Sequence, residues 1–209
     1  PVSMQRGPGW NESEDLSEND DVGFTNALIE HVNTSYQLEP ARIYATGWGM
    51  GAGFAQKAQC ELADKIAATA SVCGPLTDLL LQTCTPDRPL SMLFMQGTAD
   101  PFIPFDPDPQ HPITTMGIYG SVDFLQANNN CTADSTITEI VDSNTEDSST
   151  VTLIEYDECD AATEIVVYRV NGGGHAWPGG GALPDFFGPV NMDINASAET
   201  WNFFIRNPL

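Results

Sequence analysis

Basic side chains are scarce: the chain carries 7 Lys and Arg against 29 Asp and Glu, a formal net charge of -22. A surface so acidic repels phosphate backbones and anionic headgroups, so neither nucleic acid nor a membrane surface is expected as a partner. Histidine is rarer still, at 3, so a histidine in a chemically suggestive setting stands out. The cysteines show no C-x-x-C spacing, which argues against a zinc or thioredoxin-type site. No apolar run reaches membrane-spanning length, and no signal peptide is visible. The chain opens on Pro1 rather than Met, which leads us to expect that an upstream segment was removed or omitted. Internal repeats are also lacking. At 17% charged residues, the chain is too poor in charge for a solvated disordered polymer.

What is present fits one domain. A chain of 209 residues with 41% hydrophobic content can bury a real core. Five cysteines, Cys60, Cys73, Cys84, Cys131 and Cys159, suggest disulfides and an oxidising compartment, with one thiol left over. Pairing Cys73 with Cys84 would close a short loop, and pairing Cys131 with Cys159 would staple a hairpin region. Cys60 then reads as a buried free thiol. Sequons at Asn11, Asn33, Asn130 and Asn195 matter only in a host that glycosylates.

In chain order, Pro1 to Asn19 reads as an irregular lead-in anchored by Trp10. Asp20 or Asp21 can cap a helix that carries Val22, Leu28, Ile29 and Val32 at helical spacing and ends near Tyr36. Glu39-Pro40 stops it. Strands are predicted at Ile43–Thr46, Ile66–Val72, Leu90–Met95, Thr136–Val141, Val151–Tyr156 and, as a largely apolar central strand, Ile165–Val170. Helices are predicted from Phe54 to about Lys65, from about Thr114 to Ala127, and from Asp193 to Ile205. The stretch between Cys73 and Cys84 is read as a loop. Strands alternating with helices predict an α/β sandwich around a mostly parallel sheet.

The stretch Arg42 to Gly53 organises the chain, because a strand there feeds a helix through alternating glycines, Gly47, Gly49 and Gly51. Such a turn serves two chemistries. Gly47, Gly49 and Ala52 satisfy the dinucleotide fingerprint G-x-G-x-x-A, but that site needs an acidic residue at the end of the next strand. That strand ends at Ser71-Val72-Cys73, with no carboxylate. The same turn is a nucleophile elbow when a serine stands at its tip, and here the tip is Gly49. Two further strand ends carry Asp100 and His175, giving the order elbow, acid, histidine of an α/β-hydrolase triad. His31, in mid-helix, and His111, in a proline-rich loop, read as structural. Asp106 and Asp108 lack a calcium loop's ligand pattern, and no metal or cofactor is expected.

The segments Ile43–Gly53, Gly97-Thr98-Ala99-Asp100-Pro101 and Gly172–Gly179, with Asp20–Phe24 and Cys60-Glu61-Leu62, resemble secreted esterases of the polyhydroxybutyrate depolymerase and feruloyl esterase group. The resemblance runs through essentially the whole chain. It implies an α/β-hydrolase with helices on both sheet faces, acting outside the cell on a polyester or a plant-cell-wall ester. It assigns Gly49 to the nucleophile position, Asp100 to the triad acid, His175 to the general base and the Met50 N–H to the oxyanion hole. Trp48 and Trp177 would line the substrate pocket. The family's N-terminal strands, and the His-Gly-type loop that gives a second oxyanion donor, would fall before Pro1, so the single domain 1–209 is expected to be incomplete. Gly49 in place of serine predicts an inactive esterase. A ligand-binding pseudoenzyme of the same fold is the alternative, although the retained acid and base speak against drift.

Overall fold

In the computed structural model, which describes residues 9–11, 19–111, 115–132 and 134–209, the first helix starts where its cap is predicted. The Asp20 carboxylate accepts the Gly23 N–H at 2.7 Å and opens α1, Asp21–Tyr36. Gln37 closes α1 in a left-handed conformation, and Pro40 begins a single 3-10 turn. Most of the predicted lead-in, and the Thr114 start predicted for a later helix, lie outside the described residues.

Four strands then run parallel and side by side: β1, Tyr44–Trp48; β2, Ala68–Val72; β3, Ser91–Gly97; and β6, Ile165–Asn171. The strands β4, Thr136–Glu139, and β5, Thr150–Tyr156, form an antiparallel pair that adds to β6. The sheet order is β1-β2-β3-β6-β5-β4, so among the described strands β1 lies at one edge and β6 is interior, as its apolar run, broken only by Arg169, predicts.

The sheet alternates its side chains between two cores. One face sends Met92, Phe94, Ile165 and Val167 against α2, Met50–Glu61, the short α3, Asp78–Thr83, and α4, Gly117–Asn129. The other sends Leu93, Met95, Val166 and Tyr168 against Phe203 and Phe204 of α5, Ala196–Arg206. Ala68 and Ala70 leave room on β2 for those two rings. Helices on both faces of a mostly parallel sheet make this an α/β-hydrolase-like fold. No helix among the described residues is long and apolar enough to cross a membrane.

The cysteine pairing differs from the sequence reading. Cys60 pairs with Cys84, not Cys73 with Cys84, and Cys73 is the free buried thiol. The reason lies in α3, which the sequence reading treats as loop. Thr77 caps it, Leu80 buries its inner face, and it delivers Cys84 to the C-terminal turn of α2. Cys73 ends β2 elsewhere, with its sulfur beside the Ala176 carbonyl. Cys131 and Cys159 form the other disulfide. Replacing Cys60 and Cys84 together by alanine is expected to cost about 3.5 kcal/mol, the loop-closure figure for a link of this span. Urea unfolding of the double variant measures it.

Candidate active site

The elbow is built by exclusion. A Cβ at Gly47 would lie 2.0 Å from the Gly51 carbonyl oxygen, so a side chain there would push β1 and α2 apart. Gly49 sits at φ 56°, ψ -121°, a region that L side chains enter only under strain. It donates its N–H to the Val72 carbonyl, and its own carbonyl accepts from Ala52. Helix α2 follows at Met50, earlier than its glycine-rich start suggests, because this tight turn nucleates it. As the first residue of α2, Met50 carries an N–H with no intrahelical acceptor, at the positive end of the helix dipole.

Asp100 lies in the turn after β3, its side chain fully buried. One carboxylate oxygen accepts the N–H groups of Phe102 and Ile103 at 2.8 and 2.9 Å. The other accepts the Gln96 amide at 3.0 Å and faces His175 Nδ1 at 2.8 Å. An ionised carboxylate only accepts hydrogen bonds, so Nδ1 carries the proton and Nε2 is left as the basic nitrogen. That nitrogen lies 3.0 Å from the point a Cβ on Gly49 would occupy. Gly49, Asp100 and His175, far apart in sequence, therefore converge at the carboxyl ends of β1, β3 and β6.

Two backbone bonds fix the histidine. His175 donates its N–H to the Phe187 carbonyl, and Gly174 donates to Pro189. The 187–193 segment is fastened in turn by carboxylates: Asp147 accepts from Met192, and Asp193 accepts from Ser143, Asn144 and Asn191. Burial acts to raise the Asp193 carboxyl, but those hydrogen bonds outweigh it and hold the group below its ordinary 3.8. A depressed carboxyl stabilises the fold at neutral pH, and that contribution is lost as pH falls through the folded value. Asp193→Asn is therefore expected to flatten the acid limb of the stability curve below about pH 4, read as melting temperature against pH.

Aromatic rings surround the imidazole. The rings of Trp48 and Phe102 each stand 5.2 Å from it, that of Phe187 stands 6.2 Å away, and Phe186 packs on Phe187 at 4.6 Å. Trp177, assigned to the pocket by resemblance, instead packs against the α5 core cluster and donates its indole N–H to Ser197 at 3.1 Å. Phe102, Phe186 and Phe187 escaped the sequence reading. Their signal was phenylalanine beside Pro101 and within the Gly/Pro loop, where no core strand or helix explains it. Cys73 was missed as a neighbour of the site: its sulfur, an Asp100 oxygen and a His175 nitrogen lie within 4.8 Å of one another. Burial, reinforced by the Asp100 charge, pushes this thiol well above its usual range. It is therefore a neutral neighbour of the histidine.

A feruloyl esterase B of Piromyces equi is 30% identical to this chain over 177 residues, 81% of the chain and 31% of the relative. The chain is similar to esterases. A provisionally assigned esterase of Nocardia uniformis subsp. tsuyamanensis is 28% identical over 192 residues, 82% of the chain and 54% of that protein. A bifunctional acetylxylan esterase/xylanase of Neocallimastix patriciarum shares 28% over 86 residues. The chain thus spans about a third and about half the length of the first two relatives. No protein-family model matches. Among solved structures, a thermostable esterase superposes on 52% of the chain with a TM-score of 0.41 and 18% identity.

Proposed function

We propose that this chain is the catalytic part of a secreted carboxylic-ester hydrolase of the depolymerase/feruloyl-esterase type, with residue 49 as the nucleophile position. One observation carries the reading: His175 Nε2 aims at the Cβ position of residue 49 while Nδ1 is held by a buried carboxylate. With serine at 49, Nε2 takes the hydroxyl proton as Oγ attacks the ester carbonyl. Asp100 keeps the tautomer and stabilises the imidazolium, and the Met50 N–H meets the developing oxyanion. The proton then passes to the leaving alcohol, and water repeats the sequence on the acyl-enzyme. With Gly49 the acyl-enzyme cannot form through that residue.

The rings of Trp48, Phe102, Phe186 and Phe187 suit an ester with a flat or apolar acid portion, such as a plant-cell-wall ester or a polyester, and the named relatives favour the former. Two disulfides fit an extracellular setting. A second reading, a pseudoenzyme that holds such a ligand without turnover, is favoured by Gly49 alone. Gly49→Ser separates them: fluorophosphonate labelling with p-nitrophenyl ester turnover supports the hydrolase, and the absence of both leaves the binding protein.

A further inference from the structure

The point that a Cβ on residue 49 would occupy has distinctive surroundings. Apart from the adjoining residues of the chain, its only described neighbours within 4 Å are His175 Nε2, at 3.0 Å, and His175 Cε1, at 3.4 Å. The space beyond that point is open, so a water oxygen in van der Waals contact with the Gly49 Cα can stand at hydrogen-bond distance from the basic nitrogen. Gly49 also needs no side chain to hold its φ of 56°, so the elbow keeps its shape without a nucleophile on it. The acid that orients the base retains every hydrogen bond described above.

We propose that this chain, with glycine at 49, uses the Asp100–His175 pair to activate a small external nucleophile, water first, for direct attack on the ester. The inference rests on the ester-hydrolase reading and replaces its covalent step. The water oxygen bonds to the carbonyl carbon while one of its protons passes to His175 Nε2. The carbonyl π pair moves onto oxygen, where the Met50 N–H accommodates the charge. Collapse of that tetrahedral species breaks the bond to the alcohol oxygen, which takes the proton from Nε2. Ester and water become acid and alcohol in one displacement, with no acyl-enzyme. Hydroxylamine, similar in size and a stronger nucleophile, takes the same place and yields a hydroxamate.

Pre-steady-state hydrolysis of p-nitrophenyl acetate tests this. The chain is expected to release nitrophenol without a burst and without fluorophosphonate labelling. Its rate should stand on the order of a hundred-fold above that of a chain without the histidine, the lower end of what a positioned general base contributes. Added hydroxylamine should raise that rate and divert product to the hydroxamate. Gly49→Ala puts a methyl group between the Cα and that water's place and adds no nucleophile, so it should fall to the residual that binding and the oxyanion donor alone leave, as should His175→Gln. Circular dichroism confirms that both variants are folded.

A chain no faster than Gly49→Ala or His175→Gln overturns the proposal, as does a burst or a covalent label on the chain itself. Gly49→Ser keeps the two readings apart. If it labels and turns over while the chain is no faster than those two variants, the direct route fails and the hydrolase stands. If it does neither, the hydrolase reading falls with it.

Discussion

Gly49→Ser is expected to raise the turnover of p-nitrophenyl acetate by up to about a million-fold, the factor that separates an intact triad from one without its serine. The gain is that large because the other parts are already in place: the base points at the substituted carbon, its far nitrogen is fixed, and an N–H waits at the helix start. Kinetics should change in kind as well as rate, with a burst and stoichiometric labelling. Stability should move the other way. A side chain at φ 56°, ψ -121° costs about 1–3 kcal/mol. The new Cβ also lies 3.0 Å from Nε2, so the imidazole must yield by a few tenths of an ångström. Chemical unfolding of the variant beside the parent chain measures that cost, and an activity gain without a stability loss would show that the elbow relaxes.

In that serine background, Asp100→Asn is expected to lower kcat by about 10⁴, the effect of removing the corresponding charge in a Ser-His-Asp protease, with KM little changed. Four donors converge on this carboxylate: the N–H groups of Phe102 and Ile103, the Gln96 amide and His175 Nδ1–H. An asparagine brings one acceptor oxygen and two N–H donors into that ring. If its amide faces the histidine, Nδ1 must accept, the proton moves to Nε2 and the base is lost, while the Gln96 amide, which shares that position, must turn its oxygen inward. If its oxygen faces the histidine, the amide confronts the Phe102 and Ile103 N–H groups, costing about 1–3 kcal/mol for a buried unsatisfied donor. Catalytic loss with the smaller fall in melting temperature, one donor displaced, identifies the first arrangement, and catalytic loss with the larger fall, two displaced, identifies the second. Activity retained within tenfold would remove Asp100 from the triad.

Much of this architecture is legible in the sequence because local chemistry specifies it. The Asp20 cap, the Pro40 stop and the apolar run of β6 act within a few residues, and each element forms where they place it. The approach of Gly49, Asp100 and His175 follows from ordered strands that all run in one direction. What escaped depends on distance through space. Cys60 finds Cys84 only because α3 turns back over α2, and sequence separation favoured the wrong partner. The start of α2 at Met50 escaped because glycines at 51 and 53 lower helix propensity, which the turn at Gly49 overrides. Phe187 reaches the histidine, with Phe186 packed on it, through a loop path that no periodicity encodes.

The hydrogen bond from the His175 N–H to the Phe187 carbonyl places the proton acceptor and part of the aromatic wall on one ribbon. In a hydrolase of the proposed kind, an acyl group that shifted the Phe187 backbone would also tilt the imidazole, and with it the lone pair that takes the proton. In such a machine, poor fit registers as slow chemistry rather than weak binding. Across a series of esters, selectivity would be written in kcat, and the ring contacts would act as a gauge of alignment more than as a grip.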